Sequence, residues 1–237
     1  MMPAAPRPAV QMQHVSKRYR SGAGQVAAVD GVSLVVEPGE FVAIAGPSGS
    51  GKTTLLNLMG ALDLPDSGRI LVDGTDLTEL GRGARADLRL RKLGFIFQAY
   101  NLVPVLSALE NAEFVMLLQG IDRREREARV REVFRLIGLE GFESRRPHQL
   151  SGGQQQRVAV ARAIVARPAL VLADEPTANL DSRTGGALLD VMQRLNAELG
   201  TTFVFSTHDP TVMERADRLV HLRDGKVVDD SGRRRTS

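Results

Sequence analysis

Three apolar runs punctuate the chain at wide intervals: FVAIAG over 41–46, ALVLAD over 169–174 and TTFVFST over 201–207. Each is short and continuous rather than alternating, and each is followed by a helix-compatible segment, as expected of strands covered on both faces. That succession predicts a doubly wound α/β core built on a parallel sheet. Around it the hydrophobic period falls to two. VAAVDGVSLVVEPGE and the hairpin-like pieces RILVDG and DRLVHLRDGKVV alternate, and the Asp-Gly pairs of the latter two mark tight turns, so an antiparallel β region is expected beside the core. Between about 100 and 150 the period becomes helical. SALENAEFVMLLQG is followed by DRREREARVREVFRLIGLE, which places Val130, Val133, Phe134 and Ile137 on one face, with Asp122 set to cap it and Arg and Glu alternating on the solvated side. The expected organisation is one domain over 10–230 carrying an inserted helical lobe at about 100–160, a loose tail over 1–9 and a basic tail over 231–237.

Composition narrows the class of protein. With 237 residues, 43% of them hydrophobic, the chain can bury a full core without staples. Cysteine is absent, which excludes disulfides, thiolate zinc sites and iron–sulfur ligation and suits a reducing compartment. The opening MMPAAPRPAV lacks the charged start and apolar block of a secretory signal, and no apolar run approaches the roughly 18 residues of a spanning helix. A cytoplasmic protein that meets a membrane only through another protein is expected. The net charge of +3 is spread along the chain, whereas proteins that grip DNA by charge neutralise roughly 6 to 10 phosphates. No specific nucleic-acid partner is expected, and the terminal GRRRTS reads as a solvated tail.

The chemistry is concentrated at the ends of the apolar runs. Residues 46–53 read GPSGSGKT, a GxxxxGK[ST] pattern that follows a buried strand and opens the helical stretch KTTLLNLMG. In that context the glycines of the loop Gly46, Pro47, Ser48, Gly49, Ser50 and Gly51 let its backbone amides turn inward around phosphate oxygens. Lys52 reaches the outer phosphates and Thr53 offers a hydroxyl to magnesium. The second run ends in Asp174 and Glu175: the first can serve a metal, the second can orient or deprotonate an attacking water. The third ends at His208, with Asp209 and Pro210 placed to start a helix, and His208 reads either as a catalytic group or as a structural hydrogen-bonder. Three strand ends therefore converge on one crevice. Gln98, closing LGFIF, is a polar strand terminus or a site residue, and Tyr19 is a strand tyrosine or a base-stacking ring.

Residues 150–154 read LSGGQ and lead into QQQRVAVARAIVA. Each glycine in a helix interior costs about 1 kcal/mol relative to alanine. Ser151 can cap this helix, and Gly152 and Gly153 leave its first amides uncovered, a second anion-binding device for the same nucleotide or simply a flexible helix entry.

With those motifs in place, the chain from Val10 to about Val228 resembles the ATP-binding subunits of ABC transporters, with LSGGQ as that family's signature. The resemblance implies that Tyr19 stacks on adenine and that Gly46 to Thr54 wrap the phosphates. It assigns Gln98 to magnesium and the γ-phosphate, Asp174 to the metal, Glu175 to the water, His208 to the γ-phosphate and Asp181 to the contact between protomers. Ser151, Gly152, Gly153 and Gln154 would then press on ATP held by the P-loop of a second copy. Catalysis would fall to Glu175, His208, Lys52 and Gln98, and magnesium to Thr53, Gln98 and Asp174. At finer grain, GPSGSGKTTLLNLMGALDLPDSG, GFIFQAYNLVPVLSALENAEFVMLL and the stretch from LSGGQ to ANLDS are similar to the LolD/MacB branch of lipoprotein release and macrolide efflux. That branch implies a separate membrane permease. The departures, Thr53 for a common serine and Ala178 for a common glycine, leave the chemistry intact.

The expected protein is thus an ATPase subunit that uses Mg-ATP, pairs with itself and sits at the inner membrane face through a permease. The segment from Tyr100 to Leu109 is the expected dock for that partner. A soluble ABC ATPase of an assembly or repair complex is the alternative, although the repair types lack support in a chain without zinc cysteines or a coiled-coil insertion. A non-hydrolysing regulatory module is disfavoured because Lys52, Asp174, Glu175 and His208 are all present.

Overall fold

The computed structural model describes residues 7–21 and 24–232; segments 1–6 and 233–237 of the expected tails, including Arg233 to Arg235, lie outside the described residues. In chain order the elements are β1 (Val10–Ser21), β2 (Gly24–Val36), β3 (Phe41–Ala45), α1 (Lys52–Met59), β4 (Ser67–Val72), β5 (Thr75–Asp76), α2 (Arg82–Lys92) and β6 (Leu93–Ile96). The helical lobe follows as α3 (Ala108–Leu118), α4 (Arg123–Leu136) and α5 (Gly152–Ile164). The chain then returns through β7 (Leu170–Asp174), α6 (Ser182–Leu199), β8 (Phe203–Thr207), α7 (Pro210–Met213), β9 (Arg218–Arg223) and β10 (Lys226–Asp230).

Two sheets form among the described residues, one antiparallel in the order β2-β1-β4-β5 and one in the order β10-β9-β3-β8-β7-β6. In the second, β9, β3, β8, β7 and β6 run parallel and β10 turns back antiparallel at the edge. The hairpin DRLVHLRDGKVV therefore belongs to the core sheet and not to the flanking antiparallel region, as its period-two pattern suggested. The reason is burial: Val220 and Leu222 of β9 are 0% and 1% exposed beside β3. Both predicted Asp-Gly turns are present, Asp73-Gly74 and Asp224-Gly225, each with positive φ at both residues as a two-residue hairpin requires.

The continuous apolar runs are explained by what covers them. Along β3, Phe41 and Ala43 face a core built with α3, α4, α5 and α6, while Val42 and Ile44 face a second core shared with α1 and the antiparallel sheet. On the first face Phe41 packs its ring against Phe203 and Phe205 at centroid distances of 5.6 and 4.9 Å, pairings worth about 0.5–1.5 kcal/mol each beyond their burial. In the lobe, Val130, Val133, Phe134 and Ile137 are all buried and Asp122 caps α4 through the Arg124 N–H at 2.8 Å.

The expected loose tail is corrected at its inner end. Ala9 is 3% exposed and donates to the Val36 carbonyl at 2.9 Å, which extends the β1–β2 pairing. Ser231 is likewise tied back, donating from its backbone to Leu219 O at 3.0 Å.

Candidate functional site

Register brings the strand ends together. Ala45 pairs with Thr207, and Asp174 pairs with Ser206, so β3, β8 and β7 finish side by side and release the P-loop, His208 and Glu175 into one cleft. A cavity of about 710 Å³ opens there, lined by Pro47, Ser48, Gly49, Gly51, Lys52, Thr53 and Thr54 together with Gln98, Asp174, Glu175, Ala178 and His208. Gly46, whose carbonyl accepts Lys52 Nζ, and Ser50, 3% exposed, do not line it.

The loop is shaped for close approach. Gly51 has φ +103°, and a Cβ there would sit 2.0 Å from the Ala28 carbonyl oxygen, so only glycine fits this turn into α1. No side chain caps α1, which leaves its first N–H groups facing the cleft with the positive end of the helix dipole. Lys52 is 8% exposed and donates from Nζ to the carbonyls of Gly46 and Pro47 at 2.8 and 3.0 Å. Its ammonium thus stands inside the loop, where phosphate oxygens can replace those carbonyls. Thr53 Oγ1 lies 3.1 Å from both oxygens of Asp174. A hydroxyl and a carboxylate held face to face are the hard oxygen donors that magnesium takes when phosphates and water complete its shell, so the residues fit that ion. Among the described residues no group of three or more His, Cys, Asp and Glu side chains is placed to hold a metal ion by itself.

Glu175 adopts φ +48°, a left-handed conformation that costs a non-glycine residue of order 1–3 kcal/mol. Its backbone N–H is held by Ser206 Oγ at 3.0 Å, and its Oε1 lies 2.8 Å from His208 Nδ1. His208 itself is two-thirds exposed at its side chain, so the pair opens to whatever enters the cleft. Gln98 does not close a strand as its sequence suggested. β6 ends two residues earlier, at Ile96, and Gln98 is exposed in a bend whose carbonyl accepts Asn179 Nδ2 at 2.9 Å.

The remaining candidates lie off the cleft wall. Tyr19 is on β1, 41% exposed, with its hydroxyl bound to Asp63. Asp181 caps α6, accepting Thr184 N and Oγ1 at 3.0 and 2.7 Å, and these bonds hold its carboxyl below the usual range. Ser151 caps α5 through Gln154 N at 3.3 Å, and Gln154 Oε1 accepts Ser151 N in return at 2.8 Å. The adjacent glycines have a reason inside the chain: a Cβ on Gly153 would lie 2.5 Å from Thr184 Cγ2, and one on Gly152 would lie 3.0 Å from the Tyr100 hydroxyl. Close packing against α6 and the segment after Gln98 thus offsets their helix cost, whatever else their amides serve.

Two residues escaped the sequence reading. Ser206, fully buried, donates to Asp174 Oδ1 at 2.6 Å; its only sequence signal is a hydroxyl one place before the end of an apolar strand. Gln156, also fully buried, donates from Nε2 to the Pro176 carbonyl at 2.7 Å and so ties α5 to the residue after Glu175. It shares a helix face with the buried Ala159, Val160 and Ala163, which a polar member of QQQ conceals.

A P-loop on the parallel sheet, a carboxylate pair on the neighbouring strand and an inserted helical lobe define a nucleotide-binding ATPase with the ABC architecture. The chain belongs to the ABC transporter family, whose model matches residues 29–178. It is 46% identical over 220 residues to the lipoprotein-releasing system ATP-binding protein LolD of Bordetella avium, covering 93% of this chain and 96% of that protein. It is 48% identical over 226 residues to the macrolide export ATP-binding/permease protein MacB of Syntrophobacter fumaroxidans, spanning 94% of this chain but 32% of that protein. Among solved structures, the dimeric post-hydrolysis state of the ATP-binding cassette MJ0796 bound to ADP and Pi superposes with a TM-score of 0.85 at 40% identity, covering 96% of this chain and 100% of that one.

Proposed function

We propose that the chain is the ATP-hydrolysing subunit of a transport system of the lipoprotein-release and macrolide-efflux kind, in which two copies close head to tail around two Mg-ATP and drive a separate membrane permease. One observation carries the dimer reading. Residues 151–154 do not line the cleft formed by the P-loop of their own chain, yet Ser151 stands exposed at the start of α5, where its side chain takes up only the Gln154 N–H of the first turn. A second copy supplies the phosphate that such a helix start accepts.

In this reading the loop amides and Lys52 hold the phosphates, Tyr19 stacks on the base, and Asp181 stands at the contact between copies. Thr53 and Asp174 hold magnesium, with Gln98 reaching the same region. When bound, the ion neutralises charge on the phosphate oxygens. Glu175 orients the attacking water and takes its proton, and His208, braced against Glu175, faces the terminal phosphate. The chain contributes position and fixed charge, as phosphoryl transfer requires.

Among the described residues no helix is long and apolar enough to cross a membrane. Contact with the bilayer therefore falls to the permease, and the inner membrane face is the proposed location. Val103 and Val105, in the segment before α3, are 36% and 71% exposed, apolar side chains that suit contact with a partner's cytoplasmic helix. Leu102, by contrast, packs on the core, so Val105→Asp is the informative change and Leu102→Asp is not.

The test is a tagged Glu175→Gln chain, expressed in its native host and recovered with ATP from detergent-solubilised membranes. A stoichiometric multi-span partner with a large external domain is the expected result, lost in the additional Val105→Asp variant. Recovery of soluble partners alone would replace the transporter reading with that of a soluble assembly ATPase.

A further inference from the structure

The Tyr19 side chain is anchored at its hydroxyl. The Tyr19 OH donates to Asp63 Oδ2 at 2.7 Å, while the ring stays exposed. The other carboxylate oxygen, Asp63 Oδ1, accepts Lys17 Nζ at 2.9 Å and the Leu64 N–H at 2.7 Å. Lys17 Nζ also donates to the Leu64 carbonyl at 2.7 Å and lies 5.4 Å from the Tyr19 ring centroid. Both oxygens of Asp63 are thereby committed: two partners, Tyr19 and Lys17, come from β1, and the third is the N–H of the next residue, Leu64. The backbone around it is equally fixed: Leu62 N and Asp63 N both donate to Asn57 O, at 2.9 and 3.3 Å, in the last turn of α1.

Asp63 therefore joins β1, which bears the ring, to the far end of the helix whose near end forms the phosphate site. α1 has eight residues, a rod of about 12 Å. We infer that Asp63 is a positioning residue that latches the Tyr19 ring at a set distance from the P-loop, so that the nucleobase platform is ordered before the nucleotide arrives. The inference rests on the reading of Tyr19 as the base-stacking residue. Burial opposes ionisation of Asp63, but the hydrogen bonds from Tyr19 and Lys17 outweigh it and hold the carboxyl below its usual range, so the acceptor is charged at neutral pH.

The chemistry separates base from phosphate. A freed tyrosine must be immobilised when the base binds, whereas the phosphates see no change, so loss of the latch is expected to weaken ATP binding about 2- to 10-fold. Affinities of the full-length chain for ATP and for a base-free probe, inorganic tripolyphosphate, are measured in Tyr19→Phe, Asp63→Ala, the double variant and Tyr19→Ala. Tyr19→Phe and Asp63→Ala are each expected to weaken ATP alone, the double variant no further than the weaker single, and Tyr19→Ala more than any of them. Tyr19→Phe keeps the ring and the Asp63–Lys17 pair, so it decides the matter if Asp63→Ala does not fold. Parent-like ATP binding in Tyr19→Phe with a loss in Tyr19→Ala would overturn the latch and leave stacking standing. Parent-like binding in Tyr19→Ala would remove the stacking reading and the latch with it, and equal loss of tripolyphosphate binding would show that Asp63 acts through the phosphate loop instead.

Discussion

Ser206 holds Asp174: its buried hydroxyl donates to the carboxylate at 2.6 Å and accepts the N–H of the next residue, Glu175, at 3.0 Å. The parallel pairing of Asp174 with Ser206 across β7 and β8 makes this contact, so one hydroxyl orients the proposed metal ligand and braces a left-handed glutamate. Its removal leaves a backbone donor without its partner.

Ser206→Ala is accordingly expected to destabilise the chain by about 1–3 kcal/mol, the cost of an unsatisfied buried group. It should also raise the magnesium concentration at which ATP turnover saturates, because Asp174 loses one of its two hydroxyl partners. Denaturant midpoints and a magnesium titration of the ATPase rate check the two effects separately.

Glu175→Gln keeps the side chain's shape and its reach to His208 but removes the base. Turnover is expected to fall about 10²- to 10⁴-fold while ATP binding persists. A matching fall in ATP affinity would assign Glu175 to binding and not to the water.

At Gly153 the sign of a substitution is decided by packing. Alanine is favoured over glycine in a helix by about 1 kcal/mol, so Gly153→Ala would stabilise an unobstructed helix. Here the new Cβ meets Thr184 Cγ2 at 2.5 Å, and Thr184 is pinned by Asp181 through both N and Oγ1, so destabilisation of about 1–3 kcal/mol is expected. Adding Thr184→Ser removes the obstructing methyl and keeps the hydroxyl, and should restore most of the stability. Urea unfolding of the single and double variants gives the answer.

Acid should expose the role of the β9–β10 hairpin. Arg218 grips Asp230 through Nε at 2.9 Å and Nη2 at 2.7 Å, and this hydrogen bonding holds the Asp230 carboxyl below its usual range. A depressed carboxylate contributes stability above its unfolded pKa of about 4, and that contribution is lost as pH falls through the lower folded value, because the unfolded state then binds more protons. The parent chain should lose stability below about pH 4, and Asp230→Asn should lose less over the same window. Unfolding midpoints taken from pH 6 down to acid measure the difference.

What the sequence determined by itself was local or periodic. Apolar runs announced strands because a sheet covered on both faces needs no alternation, and GPSGSGKT, Asp174-Glu175 and LSGGQ carried their chemistry in consecutive residues. The Asp-Gly turns and the caps at Ser151, Asp122 and Asp209 were legible for the same reason: each hydrogen bond closes within three residues. Tertiary structure decided whatever depended on strands meeting. The hairpin after Arg218 pairs with β3 and not with the flanking sheet, since a period of two says which face is buried but not which neighbour buries it. Ser206 on Asp174, Asp63 on Tyr19 and Thr184 on Gly153 lie 31 to 44 positions apart, with Ser206 32 and Asp63 44 positions from their partners. A hydroxyl in an apolar strand and an aspartate in a loop have no pattern of their own, and they acquire a role only when the chain's packing brings a second element within 3 Å.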